Sequence, residues 1–380
     1  MLPIRKVTLR ELRLPLVEAF AISTGTQAAR RILLVEVTDA EGASGWAECV
    51  APEHPNYLPE TIDIAWLSLQ EWLVPHLLSS GVAAPAPASR LLASVVRGHR
   101  MAKAALEMAL WELEARQQGV SLSRLLGGTR AQVETGISIG IQSDPETLAR
   151  KAQRHHAEGY RRIKLKIKPG ADVRYVAAVR EALGDEAPLS VDANASYRRN
   201  DVEALRALDR FGLAMLEQPL GWDDRRQHAA LQAELRTPIC LDESIRCLEH
   251  AQEAIELQSA RIVNIKPGRV GGFGAAQAIH DLCQRHGVAV WCGGMLESGI
   301  GRAHNVALAS LPNFVHPGDI SPSRRYWERD IVNPEWTMAN GVVDVPVHEP
   351  GMGVRVDLDR VDDLSVRQQV LDATAPRSRS

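Results

Sequence analysis

The sequence feature that most constrains the fold is a polar residue that recurs at the end of successive apolar runs. Five short β-rich runs end at Lys166, Asp192, Glu217, Asp242 and Lys266, which follow one another at intervals of 24 to 26 residues. A helical segment separates each run from the next. Strands separated by helices pair in parallel, because a parallel crossover needs about a dozen residues or more. A repeating unit of this kind predicts a (β/α)8 barrel whose functional side chains lie at the carboxyl ends of the strands.

Eight candidate strands support this barrel between residues 131 and 320. They are Glu134–Ile141, Arg162–Ile167, Leu189–Ala193, Leu213–Glu217, Ile239–Asp242, Arg261–Ile265, Val288–Cys292 and Phe314–His316. Helical patterns alternate with them at Pro145–Glu158, Val173–Leu183 and Gly272–His286. A doubly wound open sheet also alternates strands with helices, but it does not by itself predict the series of polar strand ends. We therefore expect an α/β fold built on a barrel.

Both ends of the chain differ from this repeat. Residues 1–130 are typical of an α+β unit, with strands at Val7–Leu14, closed by Pro15, and at Ile32–Val37. The helices of this unit are expected at Thr61–Leu78 and Met101–Gln118, with the Ala-, Gly- and Pro-rich stretch Ser79–Ser89 as a linker. Residues 321–380 are Pro-rich and irregular, and the tail Ala375–Ser380 is expected to be disordered.

Composition excludes several other classes of protein. The 47 acidic and 44 basic residues nearly balance, and no basic stripe suits a nucleic acid. No apolar run approaches the roughly 20 residues that a membrane helix needs. The five cysteines form no C-x-x-C pair, which favours free thiols in a reducing compartment. We expect a cytoplasmic enzyme with neither a nucleic acid nor a membrane as its partner.

The strand-end residues predict metal and proton chemistry. The carboxylates of Asp192, Glu217 and Asp242 come from consecutive strands, and three hard oxygen ligands suit Mg²⁺, with Mn²⁺ or another divalent ion as a substitute. The strands of Lys166 and Lys266 are four apart in a ring of eight, so these lysines face each other. An ion that holds a substrate carboxylate acidifies the adjacent C–H, and two lysines can remove and return that proton. A lysine base requires a pKa below its ordinary value of about 10.4.

Residues beside these five have simpler expectations. Lys164 shares the face of Lys166 by strand alternation and lies deeper, where it supports a substrate carboxylate or the charge of the site. Lys168 is expected to be solvated, and Cys292 to be a packed thiol, because it has no obvious base partner. A single acidic residue at a strand end is more often a helix cap or a rim charge. The ordered set of five is what favours a metal-and-base site.

Several motifs resemble those of the enolase superfamily, in its muconate-lactonizing-enzyme-like subgroup. They are Lys-x-Lys at 164–166, Asp-x-Asn at 192–194, Glu-Gln-Pro at 217–219, Asp-Glu-Ser at 242–244 and Lys-Pro at 266–267. Longer segments at 98–103, 162–167, 264–272 and 291–299 resemble the o-succinylbenzoate synthase / N-succinylamino acid racemase family. The similarity extends over nearly the whole chain.

This resemblance implies a modified barrel under an α+β capping domain that the C-terminal segment completes. It implies Asp192, Glu217 and Asp242 as Mg²⁺ ligands, and Lys166 and Lys266 as the acid/base pair acting on a small-molecule carboxylate. In the synthase reaction Lys166 removes the α-proton and then protonates the departing hydroxyl, while a cationic Lys266 stabilises the enediolate. In the racemase reaction each lysine serves one face of the α-carbon. By analogy the chain forms a homo-oligomer, a dimer or an octamer.

The resemblance also suggests contacts beyond the core site. The loop at 23–27, with Thr24 and Gly25, matches a mobile loop that folds over the substrate, and further substrate contacts are expected from Ser138, Gly293, Gly294 and Met295. Asn194 is expected to orient Asp192 or a metal-bound water, Glu243 to neutralise charge behind the metal, and Arg269 to tune Lys266 or form a plain ion pair.

Both activities use the same five core residues, so the core site does not separate the synthase from the racemase. Two further alternatives are muconate cycloisomerisation and dipeptide epimerisation. The sequence Pro317-Gly318-Asp319 lacks the paired aspartates that dipeptide epimerases use, which disfavours the second of these. An inactive barrel would require the loss of a ligand or a lysine, and all five residues are present.

Overall fold

The computed structural model describes residues 3–23 and 25–373. Its strands, in chain order, are β1 (Ile4–Ile22), β2 (Gly25–Asp39), β3 (Ser44–Cys49), β4 (Gln132–Glu134), β5 (Gly136–Ile139), β6 (Arg162–Lys166), β7 (Leu189–Asp192), β8 (Leu216–Glu217), β9 (Ile239–Leu241), β10 (Ile262–Ile265), β11 (Ala289–Cys292), β12 (Val332–Asn333), β13 (Val342–Asp344), β14 (Arg355–Val356) and β15 (Ser365–Asp372). The predicted tail Ala375–Ser380 lies outside the described residues.

The helices cover one face of the N-terminal sheet and the outside of the barrel. They are α1 (Ile62–Ser68), α2 (Val74–Ser80), α3 (Pro85–Val95), α4 (Arg100–Gln118), α5 (Leu122–Leu125), α6 (Pro145–Ala157), α7 (Val173–Leu183), α8 (Val202–Arg206), α9 (Arg226–Glu234), α10 (Leu248–Glu256), α11 (Pro267–Val270), α12 (Phe273–Arg285), α13 (Gly299–Ala309) and α14 (Leu358–Leu364). A π-helical turn, Leu69–Leu73, joins α1 to α2, and short 3₁₀ turns lie at Arg199–Asp201, Ala207–Phe211 and Ser323–Arg325.

The N-terminal sheet is antiparallel and has the strand order β15-β1-β2-β3. Helix α4 lies against β3 so closely that a Cβ on Gly45 would come within 2.2 Å of the carbonyl oxygen of Ala109. Only glycine permits this approach, which fixes the helix on the sheet. The C-terminal strand β15 pairs with β1 from Lys6↔Asp372 to Leu12↔Ser365, so the two ends of the chain share one sheet.

Two predictions about the N-terminal unit are wrong. Strand β1 does not close at Pro15 but continues to Ile22, because beyond Leu12 only β2 pairs with it and proline is tolerated on an open strand side. The expected linker Ser79–Ser89 contains the first turn of α3, which begins at Pro85. Proline lacks the N–H that the first turn of a helix leaves unpaired, so it fits there.

The barrel contains a parallel sheet in the order β11-β10-β9-β8-β7-β6-β5. Its register sets Lys166 beside Asp192 and Asp192 beside Glu217, so the carboxyl ends of these strands are level. The expected α/β barrel with a capping domain is therefore confirmed. Glu107 on α4 joins the two parts, since it accepts hydrogen bonds of 2.9 Å from the backbone N–H groups of Phe273 and Gly274.

The first and last predicted barrel strands differ from expectation. Of Glu134–Ile141, only β5 enters the barrel, while β4 pairs antiparallel with β13 from the C-terminal segment. The predicted strand Phe314–His316 is a single parallel bridge from Phe314 to Val290, and a second bridge links Gly318 to Thr135. Pro317 interrupts this segment and supplies no N–H, so the chain closes the barrel without a regular strand.

No described helix is long and apolar enough to cross a membrane. Most of the buried apolar side chains pack in one large cluster that runs from the N-terminal sheet through α4 to the barrel. A second, small cluster consists of Met215, Cys240, Ile262 and Trp291. This packing places the N-terminal unit over the carboxyl ends of the barrel strands.

Candidate active site

The carboxyl ends of β6 to β10 bring together the five core residues found in the sequence. Lys166, Asp192 and Glu217 are the last residues of their strands, whereas Asp242 and Lys266 follow β9 and β10 directly. Strand alternation directs Lys164 to the same side as Lys166, one layer deeper, where it is 2 % exposed. Lys168 is exposed and Cys292 is buried, as predicted.

The ammonium group of Lys166 lies against the first carboxylate. Its Nζ is 2.5 Å from Oδ2 of Asp192 and 2.7 Å from Oδ1 of Asn194. The backbone N–H of Asn194 donates to Oδ1 of the same aspartate at 2.9 Å, and its side-chain amide donates to Glu243 at 3.1 Å. Asn194 therefore orients Asp192 and Lys166 together.

Lys164 connects the second carboxylate to the end of the barrel-closing segment. Its Nζ is 2.9 Å from Oε2 of Glu217 and 2.7 Å from Oδ2 of Asp319. The other oxygen of Glu217 accepts a 2.7 Å hydrogen bond from the amide of Asn264. Both oxygens of this fully buried carboxylate are thus held in fixed positions.

Lys266 and Arg269 contact the third carboxylate from one side. The Nζ of Lys266 lies 2.8 Å from Oδ2 of Asp242, and the guanidinium of Arg269 pairs with Oδ1. The hydroxyl of Tyr57, from the N-terminal unit, donates to Asp242 at 2.8 Å and lies 3.2 Å from Nζ of Lys266. Arg269 is completely buried and forms the ion pair that was one of its two expected roles.

Electrostatics follow from this crowding of charge. Burial would raise the pKa of Asp192, but Lys166 and Lys164 outweigh it and hold that pKa below its ordinary value. Burial, together with the charge of Asp192, raises the pKa of Glu243 to about 7. A carboxyl group with that pKa is partly protonated at neutral pH, so Glu243 supplies only part of a negative charge behind the site.

The pKa of Lys266 departs from the sequence-based expectation. Burial would lower it, but Tyr57 and the carboxylates of Glu217 and Glu243 outweigh burial and hold the pKa above its ordinary value. The lowering that a lysine base requires is therefore absent from this arrangement and stays a prediction for the site with a divalent cation bound. The physical reason is that the buried carboxylates of Glu217, Glu243 and Asp192 favour the protonated, cationic form of a nearby lysine.

The donor set of this region fits a divalent cation in its chemistry. Asp192, Glu217 and Asp242 are buried carboxylates on adjacent strands, and hard oxygen donors are the ligands that Mg²⁺ prefers. Within residues 3–23 and 25–373, however, no three His, Cys, Asp or Glu side chains are arranged as a ready metal site. The ammonium and guanidinium groups engage the oxygens that an ion would use, so a bound cation has to displace these contacts.

A cavity of about 300 Å³ opens above the two lysines, between the barrel and the N-terminal unit. Of the expected contacts, Asn194, Gly25, Gly294 and Met295 line it, together with Lys166 and Lys266. Thr24 lies outside the described residues. Ser138, Lys164, Glu243 and Arg269 lie behind or beside the cavity. Ser138 is 8 % exposed, and its hydroxyl has no hydrogen-bond partner within the described chain. Lys164, Glu243 and Arg269 contact or face charged neighbours.

Gly293 acts by leaving space for Lys266 rather than by lining the cavity. A Cβ at this position would lie 2.4 Å from Oδ1 of Asn264 and 2.6 Å from Cε of Lys266. We expect Gly293→Ala to displace the Lys266 side chain and to lower kcat about tenfold or more, because small misplacements of a reacting group are costly. Steady-state kinetics test this, with Gly221→Ala as the control, since its Cβ would meet no atom closer than 3.7 Å. Unchanged kcat in Gly293→Ala would contradict the packing argument.

Sequence reasoning missed four residues that shape the site. Asn264 precedes Lys266 by two positions and therefore lies on the same face, so strand alternation could have identified it. Asp319 follows the last predicted strand and entered the sequence analysis only through the missing aspartate pair, although it binds Lys164. Tyr57 and Arg30 belong to the N-terminal unit, and no spacing pattern in the sequence connects them to the barrel.

Comparisons with known proteins agree with this architecture. Residues 4–127 match the mandelate racemase / muconate lactonizing enzyme N-terminal domain, and residues 147–361 match the enolase C-terminal domain-like family. A relative named o-succinylbenzoate synthase, from Geobacillus kaustophilus, is 49 % identical over 98 % of both chains. A relative named N-succinylamino acid racemase, from Amycolatopsis, is 46 % identical over 94 % of this chain and 96 % of its own.

Solved structures give the same result. An enolase superfamily member from Listeria innocua superimposes with a TM-score of 0.94 at 38 % identity, covering 98 % of this chain and all of that one. A dipeptide epimerase from Cytophaga hutchinsonii, solved in complex with Mg and a dipeptide, has a TM-score of 0.90 at 25 % identity, over 98 % of this chain and 100 % of its own. Enzymes of this superfamily use a divalent metal. The chain is an enzyme of the enolase superfamily, with the N-terminal domain of the mandelate racemase / muconate lactonizing enzyme family.

Proposed function

We propose that this enzyme is an o-succinylbenzoate synthase. It would dehydrate 2-succinyl-6-hydroxy-2,4-cyclohexadiene-1-carboxylate to 2-succinylbenzoate, a step of menaquinone synthesis, and would also racemise N-succinylamino acids. The observation that carries this proposal is that Lys166 and Lys266 both line one cavity above three buried carboxylates. This is the arrangement that proton removal next to a substrate carboxylate requires.

We assign the metal site to Asp192, Glu217 and Asp242, and the ion to Mg²⁺. Bound there, the ion would neutralise the substrate carboxylate and so acidify the adjacent C–H. Lys164, 2.9 Å from Glu217, and Asn264, 2.7 Å from its other oxygen, hold this central ligand in place. Asn194 does the same for Asp192 through its backbone N–H.

In the dehydration, Lys166 would act as the base and then as the acid. Its Nζ contacts Asp192 and Asn194 beside the cavity, so a substrate bound there presents its α-proton to this side. After taking the proton, the same ammonium group protonates the hydroxyl that leaves from the same face. Lys266, whose ammonium group is 2.8 Å from Asp242, stays cationic and stabilises the negative charge that develops on the substrate.

The second candidate is N-succinylamino acid racemase as the main role. The observation in its favour is that the two lysines reach the same cavity from different strands, so each can serve one face of an α-carbon. In either reaction we assign substrate contacts to Gly25, Gly294 and Met295, with Ser138 and Gly293 beside that surface. Thr24 stays a substrate contact predicted from the sequence. The remaining charged residues, Glu243 and Arg269, would adjust the charge of the metal ligands and of Lys266.

Three finer statements belong to the same proposal. The enzyme acts in the cytoplasm, on a small-molecule carboxylate and without nucleic acid. It assembles as a homo-oligomer, a dimer or an octamer, as barrel enzymes of this kind often do. Size-exclusion chromatography with light scattering tests the assembly, and a monomeric mass would contradict that part.

Kinetics with both substrates on one preparation test the function directly. The synthase proposal expects kcat/KM for the dehydration to exceed kcat/KM for racemisation of any N-succinylamino acid. A higher value for racemisation would make the racemase the main role. Failure to turn over either substrate with added Mg²⁺ would contradict both.

Substitutions of Lys266 separate its two proposed roles. We expect Lys266→Ala to lower kcat for racemisation and for dehydration by about 100- to 10,000-fold, since a proton-transfer group and a fixed charge are both lost. Lys266→Arg keeps the charge but not a usable base, so we expect it to recover part of the dehydration and none of the racemisation. Comparing both rates in the two variants tests this, and racemisation by Lys266→Arg at the wild-type rate would contradict the assignment.

A further inference from the structure

Arg30 is a buried cation at the wall of the cavity that the proposed mechanism does not use. It lies on β2, is 2 % exposed and lines the cavity together with the two lysines. Its Nε and Nη2 atoms are buried and have no hydrogen-bond partner within the described part of the chain. A buried guanidinium without partners is costly, because each N–H has lost its water.

The nearest acidic residues do not satisfy this guanidinium. Glu48 and Glu297 are close enough to favour its charge, but neither accepts a hydrogen bond from its Nε or Nη2, and Oε1 of Glu48 and Oε2 of Glu297 are themselves without a hydrogen-bond partner in the described chain. Oε2 of Glu48 accepts from the backbone N–H and hydroxyl of Ser298, at 2.8 and 2.7 Å. Oε1 of Glu297 accepts from the backbone N–H of Met295 and the amide of Asn305, both at 2.8 Å. Burial lowers the pKa of Arg30, and the charges of these two carboxylates offset part of that effect. The Nε and Nη2 donors keep no hydrogen-bond partner in the described chain.

The neighbouring residue Arg31 behaves in the opposite way. Strand alternation directs it to the other face of β2, where its guanidinium donates to Glu11 at 2.7 Å and to Asp63 at 2.8 and 2.9 Å. Two consecutive arginines on one strand thus differ in what they bind. Arg31 is saturated by the chain, whereas Arg30 is directed towards the cavity.

The cavity therefore has positive charge at two separate walls. Lys166 and Lys266 come from the barrel, and Arg30 comes from the N-terminal unit, with the apolar side chains of Phe20, Ile22 and Met295 also lining the space. A ligand that matches this pattern carries one carboxylate at the barrel end, an apolar middle and a second anionic group. A guanidinium fork binds a carboxylate through two parallel hydrogen bonds, which makes it selective for that group.

We propose that Arg30 binds the carboxylate at the far end of the substrate's acyl chain and thereby selects succinyl over uncharged acyl groups. This inference rests on the proposed function, because it takes the substrate to bind in the same cavity. It adds a specificity residue to a site whose five core residues are common to several reactions.

A cycle of two substrates and two proteins tests the inference. The substrates are an N-succinylamino acid and its succinamyl analogue, in which a neutral amide replaces the far carboxylate, and the proteins are the wild type and Arg30→Gln. We expect the wild type to prefer the succinyl substrate by about 10- to 100-fold in kcat/KM, because that is the usual effect of removing the charged partner of a hydrogen bond. We expect Arg30→Gln to have a kcat/KM for the succinyl substrate that is lower by that factor. Its kcat/KM for the analogue should differ from the wild-type value by less than about threefold.

Arg31→Gln is the matched control, because it removes an arginine from the same strand on the opposite face. We expect it to leave the ratio of the two substrates unchanged. Should Arg30→Gln fail to fold, Arg30→Lys takes its place. We expect that variant to have a smaller decrease in kcat/KM, confined to the succinyl substrate. The inference would be overturned if the wild type had nearly the same kcat/KM for both substrates, or if Arg30→Gln lowered kcat/KM equally for both. Either result would leave the proposed function intact. If the wild type turns over neither an N-succinylamino acid nor the synthase substrate, the proposed function fails and the inference fails with it.

Discussion

Replacing Lys166 by alanine is expected to lower kcat for both dehydration and racemisation by about 100- to 10,000-fold, the usual contribution of a general acid/base group. The physical reason is that its Nζ, 2.5 Å from Asp192 and 2.7 Å from Asn194, is the proton-transfer atom on that side of the cavity. No other described lysine lines the cavity on this strand. Lys164 is buried one layer deeper, against Glu217 and Asp319, and cannot substitute for it.

Lys168→Ala is the matched control for this variant. Lys168 lies two residues after Lys166, just beyond the end of β6; it is exposed and is also a lysine. We expect its loss to change kcat less than twofold, as is usual for a surface substitution away from the site. If Lys166→Ala retained kcat within about tenfold of the wild type on both substrates, the assignment of Lys166 as the base would be wrong.

Removal of divalent metal is expected to abolish turnover of both substrates, and added Mg²⁺ to restore it. Without a bound cation, Lys164, Lys166, Lys266 and Arg269 engage the oxygens of the three carboxylates. The same lysines are then held by the ligands and are not free to transfer protons. Dialysis against a chelator, followed by assays with and without Mg²⁺, measures the loss and its reversal.

A variant of the central ligand separates metal binding from folding. Glu217→Gln keeps the shape of the side chain but loses its charge, so we expect weaker Mg²⁺ binding in calorimetry and a lower kcat. Glu203→Gln is the control, because Glu203 is an exposed residue of α8 that lies outside the site and forms an ion pair of 2.9 Å with Arg206. Full activity of chelator-treated enzyme, or wild-type Mg²⁺ affinity in Glu217→Gln, would contradict the metal assignment.

The part of the site that lies on the barrel could be predicted because its signals are local. Strand alternation and the repeat of the β–α unit put Lys166, Asp192 and Glu217 level with one another, as the observed register has them. The same rules fail where proline changes the outcome. Pro317 interrupts the last predicted strand, Pro15 does not end the first strand, and Pro85 begins a helix within the expected linker.

The part that comes from the N-terminal unit could not be predicted from spacing. Tyr57 contacts Asp242 across 185 residues of sequence, and it lies in an irregular segment without periodicity. Arg30 and Arg31 are adjacent and chemically identical, yet only the packing of β2 over the barrel decides which one is directed towards the cavity. The pKa of Lys266 likewise depends on carboxylates from several strands and not on its own surroundings in the sequence.

The central claim is that Lys166 and Lys266 flank one α-carbon, so that in the racemisation each lysine acts on one of its two faces. Exchange of the α-proton in D₂O, followed by NMR, tests it with each enantiomer of an N-succinylamino acid and with Lys166→Ala and Lys266→Ala separately. Each variant should fail to racemise but should still exchange the α-proton of one enantiomer, and the two variants should retain opposite enantiomers. If both variants exchanged the same enantiomer, or if one of them exchanged both, the two-lysine account would be contradicted.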